Sequence, residues 1–145
     1  MGRISLKGVI VGGLVAGLVL NVFDYLFWGV IYAKDLAAAL QAMNKPPATQ
    51  FIPLWIALDF LYGFALVYVY AAIRPRFGPG PGTAVRAGLI VWVLIGLFHF
   101  IGEAPMRFFP MRLMVIGTLV GLVILPLAAV AGAKFYKEGE LRTGM

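Results

Sequence analysis

The chain contains no cysteine and only one histidine. The first absence excludes a disulfide-stapled secreted scaffold and a dithiol redox centre. The second leaves no material for a clustered-histidine metal site. Charge is scarce as well: Asp, Glu, Lys and Arg make up 12% of the 145 residues, about half the usual quarter of soluble domains. Apolar residues, by contrast, make up 62%, and mean hydropathy is +0.95. A water-soluble domain of this size buries only about two thirds of the surface its unfolded chain exposes. Lipid must therefore be the solvent for most of the chain, which excludes a soluble enzyme and a disordered tail.

A bilayer core about 30 Å thick needs roughly 20 apolar residues per helix. Four such runs are present, at about 8–32, 51–73, 84–103 and 113–135. None shows the strict alternation of a barrel strand. The sequence thus predicts an all-α, polytopic membrane protein, with four transmembrane helices in an antiparallel bundle and a single domain over 1–145. The first run follows Arg3 and Lys7 as a signal peptide would, but its apolar stretch exceeds the 7–15 residues of a signal core. It is read as a retained helix. Arg74-Pro75 is expected to end the second helix, because the residue before Pro avoids the helical region. Pro79, Pro81 and the surrounding glycines then make a stiff turn, with Thr83 as N-cap of the third helix. Glu103-Ala104-Pro105 ends the third helix, Pro53 suits the first turn of the second, and Pro126 is expected to kink the fourth.

Most of the twelve basic residues fall on one side: Arg3, Lys7, Arg74, Arg76, Arg86, Lys134, Lys137 and Arg142. Lys34, Lys45, Arg107 and Arg112 fall on the other. Lys and Arg in short loops mark the cytoplasmic face, so both termini are placed in the cytoplasm. Arg74, Arg76 and Arg86 form a cytoplasmic contact for anionic lipid or a partner. The positive charge is spread over membrane flanks, which argues against a nucleic-acid site. Leu36, Leu40 and Met43 recur at helical spacing after the first span. That suits a short amphipathic helix on the outer membrane surface, stopped at Asn44 and Lys45-Pro46-Pro47.

Small residues four apart recur: Gly13 and Gly17 in the first run, and Gly117 and Gly121 in the fourth. They let helix backbones approach where lipid supplies no hydrophobic drive. Packing within the bundle explains them, and so does assembly into a homo-oligomer or a larger membrane complex. A weak echo, Ala16-Gly17-Leu18-Val19 against Ala87-Gly88-Leu89-Ile90, suggests two tandem hairpins or chance likeness between apolar helices.

Ionisable residues at membrane depth are costly and read as functional candidates. They are Asp24, Asp59, His99 and Glu103, with Asn21 as a neutral companion. At 1.5 Å per residue they lie roughly 18–28 Å from the inner boundary, in one outer layer. Aromatics crowd the same half, and Tyr25, Trp28, Trp55 and Tyr62 are candidate pocket walls for a quinone or a lipid headgroup. Each acid also has a local explanation: Asp24 with Asn21 or Tyr25, Asp59 with Tyr62 or His99, and Glu103 with Arg107 one turn on, a helical spacing that Pro105 works against. Carboxylates and an imidazole in one layer suit a proton relay, a cation site or a metal. No catalytic triad, nucleotide loop or metal-binding motif appears, and the sequence assigns no cofactor.

The run Tyr70-Ala-Ala-Ile-Arg-Pro-Arg-Phe-Gly-Pro-Gly-Pro-Gly-Thr-Ala84 resembles the central signature of a family of small bacterial four-helix membrane proteins. Gly13-Leu-Val-Ala-Gly17, followed by Asn21 and Asp24, is similar to that family's first helix. The resemblance implies an architecture and a place in a bacterial inner membrane, and no reaction. Three functions stay open: an accessory or scaffolding subunit without catalysis, an outer-facing binding or translocation site on Asp24, Asp59 and His99, and a metal- or quinone-dependent membrane enzyme. Membrane lipids are partners in all three.

Overall fold

The computed structural model describes residues 3–138. Among these the protein is all-helical, with no strand. Helix α1 (Leu6–Asp24) continues as a π-helix over Tyr25–Ile31. Helix α2 (Ala33–Ala42) and a 3₁₀ turn (Ala48–Phe51) lead into α3 (Ile52–Phe77). Helix α4 (Pro81–Trp92) continues through a π-helix (Val93–Leu97) into α5 (Phe98–Glu103). After a 3₁₀ turn (Ala104–Met106) comes α6 (Met111–Phe135). Four stretches, Leu6–Ile31, Ala48–Phe77, Pro81–Met106 and Met111–Phe135, are each long and apolar enough to cross a membrane. Arg142 and Glu140 lie outside the described residues.

The helix ends correct several local expectations. Helix α3 does not stop at Arg74-Pro75 but runs through Pro75 to Phe77. Proline's fixed φ is itself helical, and the avoidance imposed on the preceding residue is only a bias. The real stop is Gly78 at φ +81, a left-handed backbone that glycine adopts freely. Its N–H closes the last turn onto the Arg74 carbonyl at 2.8 Å. Thr83 is not the cap of α4. Gly80 fills that position, with φ +127, and Pro81 begins the helix. The Thr83 hydroxyl instead donates back to the Gly78 carbonyl at 2.8 Å, tying the turn to the helix it starts. The sequence reading missed Ser5, whose hydroxyl caps α1 by accepting from the Gly8 N–H at 3.1 Å. Helix α2 ends at Ala42, Asn44 two residues on adopts the left-handed region, and the Leu36, Leu40 and Met43 stripe is half-buried.

Glycines set the helix packing. A methyl group at Gly63 of α3 would collide with the Gly13 carbonyl and the Gly17 amide of α1. One at Gly12 would lie 2.6 Å from the Gly132 carbonyl of α6, and one at Gly88 would lie 2.5 Å from the Pro126 Cα. Along α1 from Gly13 to Gly17 the α3 neighbour passes from Phe64 to Phe60, and from Gly8 to Gly12 the α6 neighbour passes from Tyr136 to Gly132. Residue order thus runs in reverse across both contacts.

One end is locked by two tyrosines. The Ser5 N–H donates to the Tyr136 hydroxyl, and the Gly80 N–H to the Tyr70 hydroxyl, each at 3.2 Å. The two rings meet edge to face, 5.8 Å between centroids. From this tyrosine end the core runs through Leu66, Val67, Ala84, Ala87, Ala128 and Ala129, all essentially inaccessible. Beyond the level of Leu20, Asp59, Val91 and Ile124 the packing changes. In that acidic half, Leu113 is the only buried residue of the spanning helices among those described. Both π-helical segments lie there. Their i→i+5 bonds, such as Tyr32 N–H to Phe27 carbonyl at 2.7 Å, widen the helix and turn its faces.

Candidate functional site

Asp24 closes the regular part of α1, and Asp59 lies two turns into α3. Asp59 is 6% exposed. The two carboxyl groups lie within hydrogen-bonding reach of each other. The cause is local. Gly13, Gly17, Asn21 and Asp24 follow one another at spacings of four, four and three, one face of a helix. The glycines admit the α3 backbone at Phe60 and Phe64, and that close approach carries the next turn, with Asp24, against Asp59. Asn21 pins the same interface. Its amide donates to the Gly17 carbonyl at 2.9 Å and across to the Ile56 carbonyl of α3 at 3.4 Å.

His99 and Glu103 do not join this pair. They bind each other one turn apart, at 3.1 Å, with the histidine side chain 66% exposed. The reason is the end of the third span. Pro105 replaces α-helix by a 3₁₀ turn, and Arg107 adopts φ +50. The expected Glu103–Arg107 pair loses its helical spacing, and Glu103 turns back to His99. Asp35 meets Arg112 at 3.3 Å. Among the described residues, no three His, Asp or Glu side chains are grouped as a metal cage.

The four candidate pocket aromatics also separate. Tyr25 is 67% exposed, and Trp55 and Tyr62 face outward as well. Trp55 packs on Phe51 and Trp28 on Tyr32, with ring centroids 5.9 and 6.0 Å apart. Trp28 also covers Gly117, and Trp92 covers Gly121. These two glycines of α6 thus receive indole rings alone, whereas Gly13 and Gly17 receive both the ring and the backbone Cα of Phe64 and Phe60. The Trp92 indole N–H donates to the Thr118 carbonyl at 2.8 Å, a contact the sequence reading missed. A groove of about 480 Å³ does exist in the acidic half, but Ala39, Met43, Arg107, Phe109 and Met111 are among its walls and the acidic pair is not.

The three candidate arginines part company at the tyrosine end. Arg86 stacks over Phe77 at 4.8 Å, and Arg76 is exposed. Arg74 lies over the Tyr136 ring at 5.7 Å and beside Glu138 at 3.1 Å.

No protein-family model, curated protein or solved structure matches the chain. The loop resemblance therefore assigns no family, and any functional reading rests on the chain's own residues.

Proposed function

We propose that this is a four-span bacterial inner-membrane protein whose Asp24–Asp59 pair binds one proton or one small cation. The reading places the helices in an antiparallel bundle with both termini in the cytoplasm. The reversed order of helix contacts and the Lys and Arg bias toward one set of loops support it. The juxtaposition of the two carboxyl groups carries the functional part. Carboxyl groups at membrane depth are expensive and serve ion pathways, proton relays or ligand sites. Two side by side repel when both are ionised; a shared proton or an intervening cation removes that repulsion. A proton shared between them makes one the donor and the other the acceptor.

Infrared spectra of the purified protein at neutral pH test this. A protonated-carboxyl band is expected that disappears in the double variant Asp24→Asn/Asp59→Asn. If a cation is held instead, sodium or potassium raises the melting temperature relative to choline, and the double variant abolishes that rise. Absence of both signals, or their survival in the double variant, would sink the proposal.

The sparse packing of the acidic half favours a second reading, an accessory subunit completed by a second copy or a larger complex. Native mass spectrometry from mild detergent is then expected to show an oligomer. A stable lone monomer counts against it.

A further inference from the structure

We propose that Arg74 holds the phosphate group of an anionic phospholipid at the tyrosine end of the bundle, in the place that Glu138 occupies here. Two of its guanidinium nitrogens, Nε and Nη1, are buried without a hydrogen-bond partner among the described residues. Buried donors of a permanently charged group left unpaired are rare and costly. Glu138 does not satisfy them. Its Oε1 stands 3.1 Å from Nη1, close enough for charge attraction but not aligned as an acceptor. Glu138 is exposed and lies past the end of α6, three residues beyond Phe135, so its side chain is free to leave.

The surroundings suit a headgroup phosphate. Arg74 lies three residues before the end of a span-length helix, so about 4–5 Å of rise separates it from that end, at the level of the interface. The planar fork of an arginine matches two oxygens of a phosphate. Tyr136 flanks the guanidinium at 5.7 Å, and tyrosine is an interfacial residue. Gly8 abuts the Lys137 carbonyl and the Tyr136 ring, so the chain positions of Lys7 and Lys137 both adjoin the tyrosine that flanks Arg74. The other two arginines serve differently. Arg86 is engaged by Phe77, and Arg76 has the open exposure of a general electrostatic contact. Phosphate chemistry alone fits a lipid or a free ion; the position at the helix end favours the lipid.

The test is native mass spectrometry of the full chain with phosphatidylglycerol or phosphatidylcholine, with inorganic phosphate as a separate arm. Wild-type protein is expected to retain phosphatidylglycerol in preference to phosphatidylcholine. Arg74→Gln is expected to weaken retention about tenfold, the loss of one charge-assisted pair, and Arg76→Gln to change it little. Glu138→Gln is expected to strengthen it, because the competing carboxylate is gone. Arg74→Lys keeps the charge without the fork; normal melting with weakened retention separates binding from folding. Equal losses in Arg74→Gln and Arg76→Gln would overturn the site in favour of diffuse attraction. Inorganic phosphate displacing the lipid at millimolar concentration would overturn the lipid as the source. Unchanged or weaker binding in Glu138→Gln would overturn the displacement.

Discussion

The tyrosine half and the acidic half of this protein are built from the same four spans, yet they are held together differently. In the tyrosine half, backbone meets backbone. Gly12 faces Gly132, Gly63 fits between Gly13 and Gly17, and Gly88 lies on Pro126. In the acidic half, aromatic rings fill the gaps, as Trp28 does over Gly117 and Trp92 over Gly121. Lipid gives helices no hydrophobic reason to associate, so close van der Waals contact and interhelical hydrogen bonds must hold them. Both halves have hydrogen bonds between helices, Asn21 to Ile56 and Trp92 to Thr118 in the acidic half among them, but backbone-to-backbone contact belongs to the tyrosine half. The acidic half has fewer close contacts and carries the carboxyl pair at its border. Rigid packing thus supports one end, and the polar groups and π-helical segments collect at the other, where change is less costly.

The sharpest way to break this contrast is Gly63→Ala. The added methyl has nowhere to go, because both sides of the gap are α1 backbone. Overpacking a tight core typically costs 1–3 kcal/mol, and here about 3 kcal/mol or more is expected. Thermal unfolding in detergent should show a large fall in melting temperature or no folded protein at all. A near-normal melt would mean that the two halves are not packed so differently.

The sequence made the four spans legible because hydropathy over 20 residues is a strong signal. It made the acidic residues stand out as candidates because carboxylates are conspicuous in apolar runs. It could not show which of them converge. Asp24 and Asp59 meet because Gly13 and Gly17 let α3 close in, and that follows from spacing only after the helix pair is known. His99 stands apart from them, exposed and bound to Glu103, just past the π-helical stretch Val93–Leu97, which turns the helix faces. Local chemistry misled at Pro75, where a helical φ prevailed over the bias against pre-proline helix. The π-helical segments carry no hydropathy signal of their own; in each, an aromatic ring lies against the glycine one turn on, Tyr25 with Gly29 and Trp92 with Gly96.

The border between the halves is tested next. Asp24→Ala leaves Asp59 buried without its neighbour. An unpaired buried polar group costs about 1–3 kcal/mol, so a loss of about 2 kcal/mol is expected. Asp24→Ala/Asp59→Ala should lose less than the sum of the single variants, because groups in contact do not add. Denaturation of the four proteins of this cycle measures the coupling. Strict additivity would mean that the carboxyl groups ignore each other.

A smaller effect is expected at the tyrosine lock. Tyr136→Phe keeps the ring and its edge-to-face contact with Tyr70 but removes the acceptor for the Ser5 N–H. One neutral hydrogen bond is worth about 1 kcal/mol net. Amide exchange should quicken at Ser5 and the first turn of α1, while the acidic half is unaffected. Faster exchange throughout would show that the lock supports the whole bundle.

The smallest change should come from Gly121→Ala, the counterpart of the first variant in the other half. The new methyl would sit 3.5 Å from the Trp92 ring, ordinary van der Waals contact, with no backbone nearby. Alanine also favours the helix over glycine by up to about 1 kcal/mol. The expected shift in melting temperature is therefore zero to slightly upward, with the Trp92–Thr118 bond retained and the indole fluorescence unchanged. The same glycine-to-alanine change would then be ruinous at Gly63 and harmless at Gly121, although both positions lie in spanning helices. That opposition follows from what each glycine faces, an α1 backbone or an indole ring. A large destabilisation at Gly121 would show that the acidic half is packed as tightly as the tyrosine half, and the distinction between them would fail.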